Sequence, residues 1–357
     1  MRMTIELAAC LFTTAAISLP AVADSEGEVW LYNWSGYIDP AVIEKFQAAT
    51  GRELLLDVYE ESDEAEARLT AQGTGYDLAV VPSEIVGRLI SAGAVRRFDL
   101  DSPGVDRQLL DILLTAKPQA EGYALPYLWG TTGLVYDLDA VIERLPDAPL
   151  DSWALLFDPE NAKELADCGI TVIDSVEEMV PAALSYLGLD PHSRSPEKLD
   201  AAFDVLAAIA PYVRSFDTAQ YDDVLGGNIC LAAAWSTDGL AAFLEKDSTQ
   251  YRYIVPKEGT NLWADLFVVP SDARNMVASM QLLDFILQPE MIASSAAYAN
   301  AFANLPSSRS GLDKPDFSVF PPALSESVRE TLYFVKPLNG EEKRLLDRRW
   351  RMIQIGL

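Results

Sequence analysis

Histidine is almost absent from the sequence. The one histidine among 357 residues is His192, in the proline- and serine-rich stretch DPHSRSP, where a solvated loop residue is expected. Catalytic triads and clustered metal sites that depend on histidine are therefore nearly excluded. Carboxylates, lysine, tyrosine and cysteine remain for chemistry. We expect neither a metal nor a cofactor.

Positive charge is also scarce. The chain has 27 Lys and Arg residues against 54 Asp and Glu residues, which gives a formal net charge of −27. Such a chain has no basic surface to neutralise phosphates, so nucleic acid is not expected as a partner. A negative potential concentrates cations and repels anions, although an acidic surface also serves solubility. The composition thus favours a cationic ligand.

A long hydrophobic run occurs only at the start of the chain. Arg2 is followed by the apolar run at 7–19 and then by Ala-Val-Ala before Asp24. This pattern is typical of an export signal, and we expect residues 1–23 to be a signal peptide that is cleaved after Ala23. No later stretch reaches the roughly 18 consecutive apolar residues of a spanning helix. We expect an exported, periplasmic protein.

Cysteine is rare as well, with three residues in the whole chain. Cys10 lies in the export signal. The run that ends at Cys10 is similar to a lipoprotein box, but modification there would leave a further apolar stretch at the N-terminus, so we assign Cys10 to the removed peptide. Cys168 and Cys230 remain. An even count in an exported protein allows one disulfide, and the alternative is a pair of buried free thiols.

The rest of the composition is that of a globular protein, with 50% hydrophobic and 23% charged residues. The length predicts about two domains. Strand-like runs at 29–33, 54–59 and 78–81 alternate with helical patterns. This alternation predicts an open, mostly parallel sheet flanked by helices, with a ligand outside the carboxyl ends of the strands. Those ends are residues 33–37 and 82–84.

A second α/β alternation runs from 169 to 255 and predicts a second lobe. Extended segments at 131–136 and 265–270 are suited to connect the two lobes, and two crossings predict a hinge. We expect a monomer whose first lobe comprises residues 24–133 and about 266–310, and whose second lobe comprises residues 134–265 and about 311–357.

Aromatic residues recur beside polar and acidic ones. Trp34 precedes Ser35 and Tyr37, Trp235 lies three residues before Asp238, and Trp263 lies two residues before Asp265. Residues i and i+2 of a strand point to the same face, so Trp263 and Asp265 are expected side by side. An aromatic face attracts a cation and a carboxylate accepts its hydrogen bonds, so the set suits an alkyl ammonium. Taken singly, each tryptophan also fits a core and each acid a solvated loop or helix cap.

A series of motifs along the chain resembles one protein family. In order they are LYNWSGYI, TGYDLAVVPS, ALPYLWGTTGLVYD, CGITVIDSVEEM, YLGLDP, NICLAAAWSTD and VPKEGTNLWADLFVVP. They closely resemble the periplasmic polyamine-binding proteins of ABC importers, the putrescine/spermidine family. The resemblance implies a two-lobed type II periplasmic binding protein fold, a polyamine held between the lobes, delivery to a membrane ABC permease, and no enzymatic activity.

The resemblance also implies which residues contact the ligand. They are Trp34, Ser35, Tyr37, Ser83, Glu178, Trp235, Asp238, Trp263, Asp265 and Tyr298. Cys168 and Cys230 stand where the putrescine-binding branch of the family has paired cysteines.

One position departs from the family pattern, which has Asp or Glu directly after the serine or threonine of the first loop. Here that position is Gly36, and Glu84 in a neighbouring loop is a candidate replacement. A ligand with one amine and one carboxylate would need a cation, which none of the matched positions supplies. The alternatives are another small amine-containing ligand, a sensor subunit, and a glycoside hydrolase with two carboxylates.

Overall fold

A computed structural model describes residues 27–71, 73–98, 107–218, 223–224, 226–245, 250–303, 328, 330–336 and 338–356. The predicted signal peptide at 1–23, and Cys10 within it, lie outside these residues, as does the stretch 304–327 that the sequence divides between the lobes. None of the described helices combines the length and the hydropathy that are needed to cross a membrane.

The described strands are β1 Glu28–Trp34, β2 Glu53–Tyr59, β3 Leu78–Pro82, β4 Val95–Arg96, β5 Ala124–Asp137, β6 Ile170–Ile173, β7 Ser215–Asp217, β8 Leu231–Trp235, β9 Tyr251–Ile254, β10 Leu262–Pro270 and β11 Phe302–Ala303. The helices are α1 Pro40–Thr50, α2 Ser62–Thr70, α3 Val86–Ser91, α4 Arg107–Ala116, α5 Leu138–Arg144, α6 Ala154–Phe157, α7 Pro159–Leu165, α8 Val176–Tyr186, α9 Pro196–Ile209, α10 Ser236–Glu245, α11 Met276–Ile286, α12 Pro289–Tyr298 and α13 Gly340–Gln354.

The strands form one mixed sheet in the order β2-β1-β3-β10-β5-β8-β6-β7. β1 pairs in parallel with β2 and β3, and β6 pairs in parallel with β7 and β8. β10 and β5 run antiparallel to their neighbours in the middle of the sheet. Each half is therefore a mostly parallel α/β unit, which confirms the fold class predicted from the sequence.

Helix α1 shows how local sequence sets the first unit. The Asp39 carboxylate accepts a hydrogen bond from the Ala41 N–H at 2.9 Å, and Pro40 opens the helix. Gly51 follows the last turn with a φ of 70°, a backbone conformation that strains other residues. Local sequence therefore sets both ends of this helix. The helix buries Val42 and Phe46 against the sheet.

Two main clusters of buried residues lie on either side of the sheet centre. The first draws on 29–128 and 262–301, and the second on 134–233 and the C-terminal helix α13. Strand β5 passes from one to the other, because its first half pairs with β10 and its second half with β8 and β9. This agrees with the connecting segment predicted at 131–136.

The return connection differs from the prediction. The predicted segment 265–270 lies within β10, which pairs with β3 and β5 and is buried in the first core. Val255 still packs beside β9, so the chain returns between it and Leu262. Phe334, within the range assigned to the second lobe, is also buried in the first core. An uninterrupted apolar run is equally compatible with a core strand and with an extended connection. This explains why the return connection was predicted too far along the chain. The exact limits of the lobes stay a prediction.

Cys168 and Cys230 form a disulfide with a Cα–Cα distance of 5.5 Å. Cys168 follows α7, and Cys230 directly precedes β8, so the bridge lies at the opposite end of β8 from Trp235. The disulfide prediction is confirmed.

The double variant Cys168→Ser/Cys230→Ser is expected to lower the free energy of unfolding by about 4 kcal/mol, since the bridge closes a loop in the unfolded chain. The closed loop spans 62 residues. Urea unfolding of the variant and of the oxidised wild type measures the difference. Equal midpoints and slopes for the two proteins would contradict the expectation.

Candidate functional site

A cleft of about 580 Å³ lies between the two main cores. The carboxyl ends of β1, β3 and β8, the start of β10 and the first turn of α8 form its walls. Five aromatic side chains contribute to it: Trp34, Tyr37, Trp235, Trp263 and Phe334. Six acids also line it: Glu60, Glu61, Glu84, Glu177, Glu178 and Asp265.

The charge of the cleft is one-sided. Among the described residues that line it, none is a lysine, arginine or histidine. Glu177 pairs with a lysine behind the wall, Lys343, at 3.1 Å. No group of His, Cys, Asp and Glu in the described part of the chain is arranged as a metal site. The cleft is therefore suited to an organic cation that brings its own positive charge.

Asp265 is a buried acid of the cleft wall at the first core. Its side chain lies on β10 and the residue is 5% exposed. Trp34 donates its indole N–H to the Asp265 carboxylate at 2.9 Å, and the Tyr37 hydroxyl donates a second hydrogen bond. Burial raises the pKa of Asp265 to about 7, although both hydrogen bonds act to lower it. No cation among the described residues offsets this burial, so an ammonium group would stabilise the charged form.

Glu178 occupies the corresponding place at the second core. Its carboxylate accepts hydrogen bonds from Thr132 Oγ1 at 2.8 Å, from Asn261 Nδ2 at 2.9 Å and from the Trp235 indole at 3.5 Å. Burial raises the pKa of Glu178 to about 7 in spite of these three donors. The donors come from β5, from the return connection before β10 and from β8. Glu178 therefore ties together the elements that link the two cores.

The Trp263 ring depends on a glycine in the neighbouring strand. Its indole N–H donates to the Thr131 carbonyl of β5 at 3.3 Å. A Cβ atom on Gly130 would collide with this ring, so the glycine permits the close approach. The pairing of β10 with β5 shifts register between Ala264 and Leu266, yet Trp263 and Asp265 both face the cleft.

The structure brings most of the predicted ligand contacts together and leaves three outside the cleft. Those that line it are Trp34, Tyr37, Ser83, Glu178, Trp235, Trp263 and Asp265. Ser35 is exposed beside it and donates its N–H to the Tyr59 carbonyl at 3.0 Å. Tyr298 ends α12 and is 51% exposed.

Asp238, the third predicted contact outside the cleft, lies in the first turn of α10. Its Oδ2 atom is buried without a hydrogen-bond partner among the described residues. Burial alone raises its pKa to about 7. Asp238 thus has no cationic partner among the described residues.

Gly36 has a φ of 70°, and a Cβ atom there would meet nothing within 4 Å. An aspartate at this position would be strained and would point into open space. Glu84 does line the cleft, and burial raises its pKa. The expected carboxylate of the first loop is thus absent while another acid lies in the cleft wall.

Sequence reasoning missed several contributors to the cleft, among them Glu60, Glu61, Asn261 and Phe334. Glu60 and Glu61 directly follow β2, so the rule for strand ends that found Ser83 could also have found them. Asn261 and Phe334 carry no comparable signal. They reach the cleft because the segment before β10 runs alongside the segment that contains Phe334. Asn261 and Tyr333 form a β-bridge between these two segments.

Residues 41–319 match the sequence family of bacterial extracellular solute-binding proteins. The chain belongs to this family. Over the full length of both chains, the solute-binding protein is 34% identical to the putrescine/agmatine-binding protein of Pseudomonas aeruginosa. It is 32% identical to the putrescine-binding periplasmic protein PotF of Escherichia coli, over 96% of this chain and 95% of the relative. The resemblance read from the motifs is confirmed.

A solved structure supports the fold of the solute-binding protein. The spermidine/putrescine ABC transporter substrate-binding protein PotD of Streptococcus pneumoniae superposes with a TM-score of 0.77 at 20% sequence identity. The match covers 92% of this chain and 99% of that one. The two-lobed architecture is therefore that of the periplasmic binding proteins.

The variant Asn261→Ala is expected to raise the pKa of Glu178 further, because the variant loses a donor to the charged carboxylate. A titration of glutamate side-chain carboxyl signals by NMR measures the shift. Asn161→Ala is the matched control, since the Asn161 amide donates to the Ala154 carbonyl at 3.0 Å, away from the cleft. An unchanged Glu178 pKa in Asn261→Ala would show that the hydrogen bond does not stabilise the carboxylate.

Proposed function

We propose that this solute-binding protein captures a small polyamine in the cleft, in the periplasm, and delivers it chemically unchanged to an ABC permease. One observation carries the proposal: six acids and five aromatic side chains line the cleft, and no described lining residue is cationic. The relatives named for putrescine support the same ligand class. An exported location also suits the disulfide.

The arrangement matches the two parts of a diamine. Asp265 and Glu178 belong to opposite cores and would each accept hydrogen bonds from one ammonium group. Trp34, Trp235 and Trp263 would cover the methylene chain and attract the charged ends through their ring faces. The ammonium groups would replace the water that the acids lose on burial. This compensation requires charge at both ends of the ligand.

A ligand with one amine and one carboxylate fits the cleft less well. Its carboxylate would face Glu60, Glu84 or another acid of the wall, with no lining lysine or arginine to receive it. Like charges at close range oppose binding. The proposal therefore places diamines ahead of amino acids.

Closure of the two cores around the ligand is part of the proposed mechanism. A ligand that contacts both cores favours the form in which they approach each other. Ser35, Asp238 and Tyr298, which do not line the cleft, would contact the ligand only after such a movement. The buried Oδ2 of Asp238, which lacks a described partner, is the strongest of these candidates.

Asp265→Asn is expected to weaken putrescine binding by about 2 to 5 kcal/mol, or roughly thirtyfold and more, because one ammonium loses its charged partner. Calorimetric titration of refolded, ligand-free protein measures the affinity. Glu290→Gln removes the same charge from an exposed ion pair with Lys45 and should bind as the wild type does. Affinities within twofold for Asp265→Asn and the wild type would rule out Asp265 as an anchor.

Putrescine affinity is expected to fall as the pH drops from 8 to 6. Burial raises the pKa of Asp265 and of Glu178 to about 7, and the dication binds their ionised forms. Above pH 7 both acids are mostly charged, and below it each must release a proton first, which weakens binding by about tenfold per acid at pH 6. Amines remain protonated throughout. Titrations at both pH values, in two buffers with different heats of protonation, measure affinity and proton release. A constant affinity without proton release would contradict the expectation.

A further inference from the structure

A second cavity, of about 930 Å³, adjoins the ligand cleft. Ser83, Glu84, Phe334 and Val335 line both spaces and form the wall between them. The charge of the second cavity differs from that of the cleft, because it gathers four basic side chains of this acidic protein. They are Arg88, Lys117, His192 and Lys336.

Lys117 differs from the other cations of this cavity. It is 5% exposed and follows directly after α4, where its N–H donates to the Leu113 carbonyl at 2.7 Å. Its ammonium lies 5.8 Å from the centre of the Phe334 ring. Among the described residues it forms no salt bridge within 4.0 Å. A buried amine therefore lies behind the cleft wall with an aromatic face as its near neighbour.

The charges of Arg88 and Lys336, which also line this cavity, are balanced in other ways. Arg88 donates two hydrogen bonds of 2.7 Å to the Glu66 carboxylate. Lys336 is exposed to solvent. Their charges are therefore screened by a carboxylate and by water, whereas protein atoms surround that of Lys117.

Glu84 is the acid that connects Lys117 to the ligand. It lines both cavities, and its carboxylate accepts a long hydrogen bond from Ser62 Oγ at 3.5 Å. The positive charge of Lys117 acts to lower the pKa of the Glu84 carboxyl, and burial acts to raise it. Part of the negative charge of Glu84 is thus already balanced from within the protein.

We propose that Lys117 is a specificity-determining residue that ends the ligand cleft at the Glu84 wall and restricts the ligand to short diamines. The inference rests on the proposed function. The two ammonium groups of a short diamine have Asp265 and Glu178 as partners. A third ammonium that extends past Glu84 approaches the charge of Lys117 behind the wall, and the low exposure of Lys117 limits screening by water.

The test compares Lys117→Met with the wild type by calorimetric titration of refolded protein with putrescine, spermidine and spermine. Methionine retains most of the apolar stem and removes the charge. The variant is expected to gain about tenfold in affinity for spermidine and spermine relative to the wild type, with putrescine within threefold. Lys117→Gln, which is neutral but polar, should give the same change. Agreement between the two variants would show that the lost charge, and not the shape of the new side chain, causes the gain.

Lys336→Met is the matched control, because it removes the same charge from an exposed position in the same cavity. It should leave all three affinities within twofold of the wild type. Equal changes in Lys117→Met and Lys336→Met, or an equal gain for all three amines, would show that the change in affinity arises from the net charge of the protein. Either result would overturn the proposal. Unchanged spermidine affinity in both neutral Lys117 variants would also overturn it.

Two further outcomes separate this inference from the proposed function. If the folded wild type binds none of the amines, the proposed function fails and the role of Lys117 fails with it. If the wild type binds putrescine and also γ-aminobutyrate, and Lys117→Met loses only the latter, then Lys117 receives a carboxylate. That result would overturn its role as a barrier and leave the diamine site intact.

Discussion

The site depends on two carboxylates of the cleft wall that have no cationic partner among the described residues. Asp265 and Glu178 lose water on burial, and the donors described for them are all neutral. Neutral donors orient a carboxylate but compensate its charge incompletely, so the pKa of each acid rises to about 7. The folded protein is thereby prepared for a positively charged ligand.

Strand β5 gives this arrangement its geometry. It is paired to β10 in the first core and to β8 and β9 in the second, so the cleft opens where it passes between them. Gly130 admits the Trp263 ring, Thr131 accepts its hydrogen bond and Thr132 donates to Glu178. The contacts to Trp263 lie in the first core and the contact to Glu178 lies in the second core. Consecutive residues of one strand therefore hold side chains on both walls of the cleft.

The basic residues that the structure describes lie outside the ligand cleft. The cleft has only acids among its described charged residues, while Lys117 is buried on the other side of the Glu84 wall. In the proposed arrangement, the acids of the cleft attract the ammonium groups of a diamine, whereas Lys117 behind the wall repels a third ammonium group. This repulsion at the end of the cleft limits the length of the ligand, in addition to the aromatic contacts along it.

The sequence by itself determined the α/β units and most of the cleft. Alternation of strands and helices predicts parallel pairing, and parallel strands place their carboxyl ends at one edge, which located Trp34 and Ser83. The two-residue spacing of Trp263 and Asp265 put both on one face. The disulfide pairing and the role of Glu178 followed from the family resemblance, since neither has a local signal.

Only the tertiary structure decided which distant segments meet at the cleft. Asn261 and Phe334 line it because the return connection and the segment near the C-terminus run side by side, and the approach of Lys117 to Phe334 depends on the same passage. Ser35 and Tyr298 have the residue types of ligand contacts but lie outside the cleft. Hydrophobic periodicity indicates which face of a helix or strand is buried, but it does not indicate which other element covers that face. For that physical reason the core could be predicted more completely than the site.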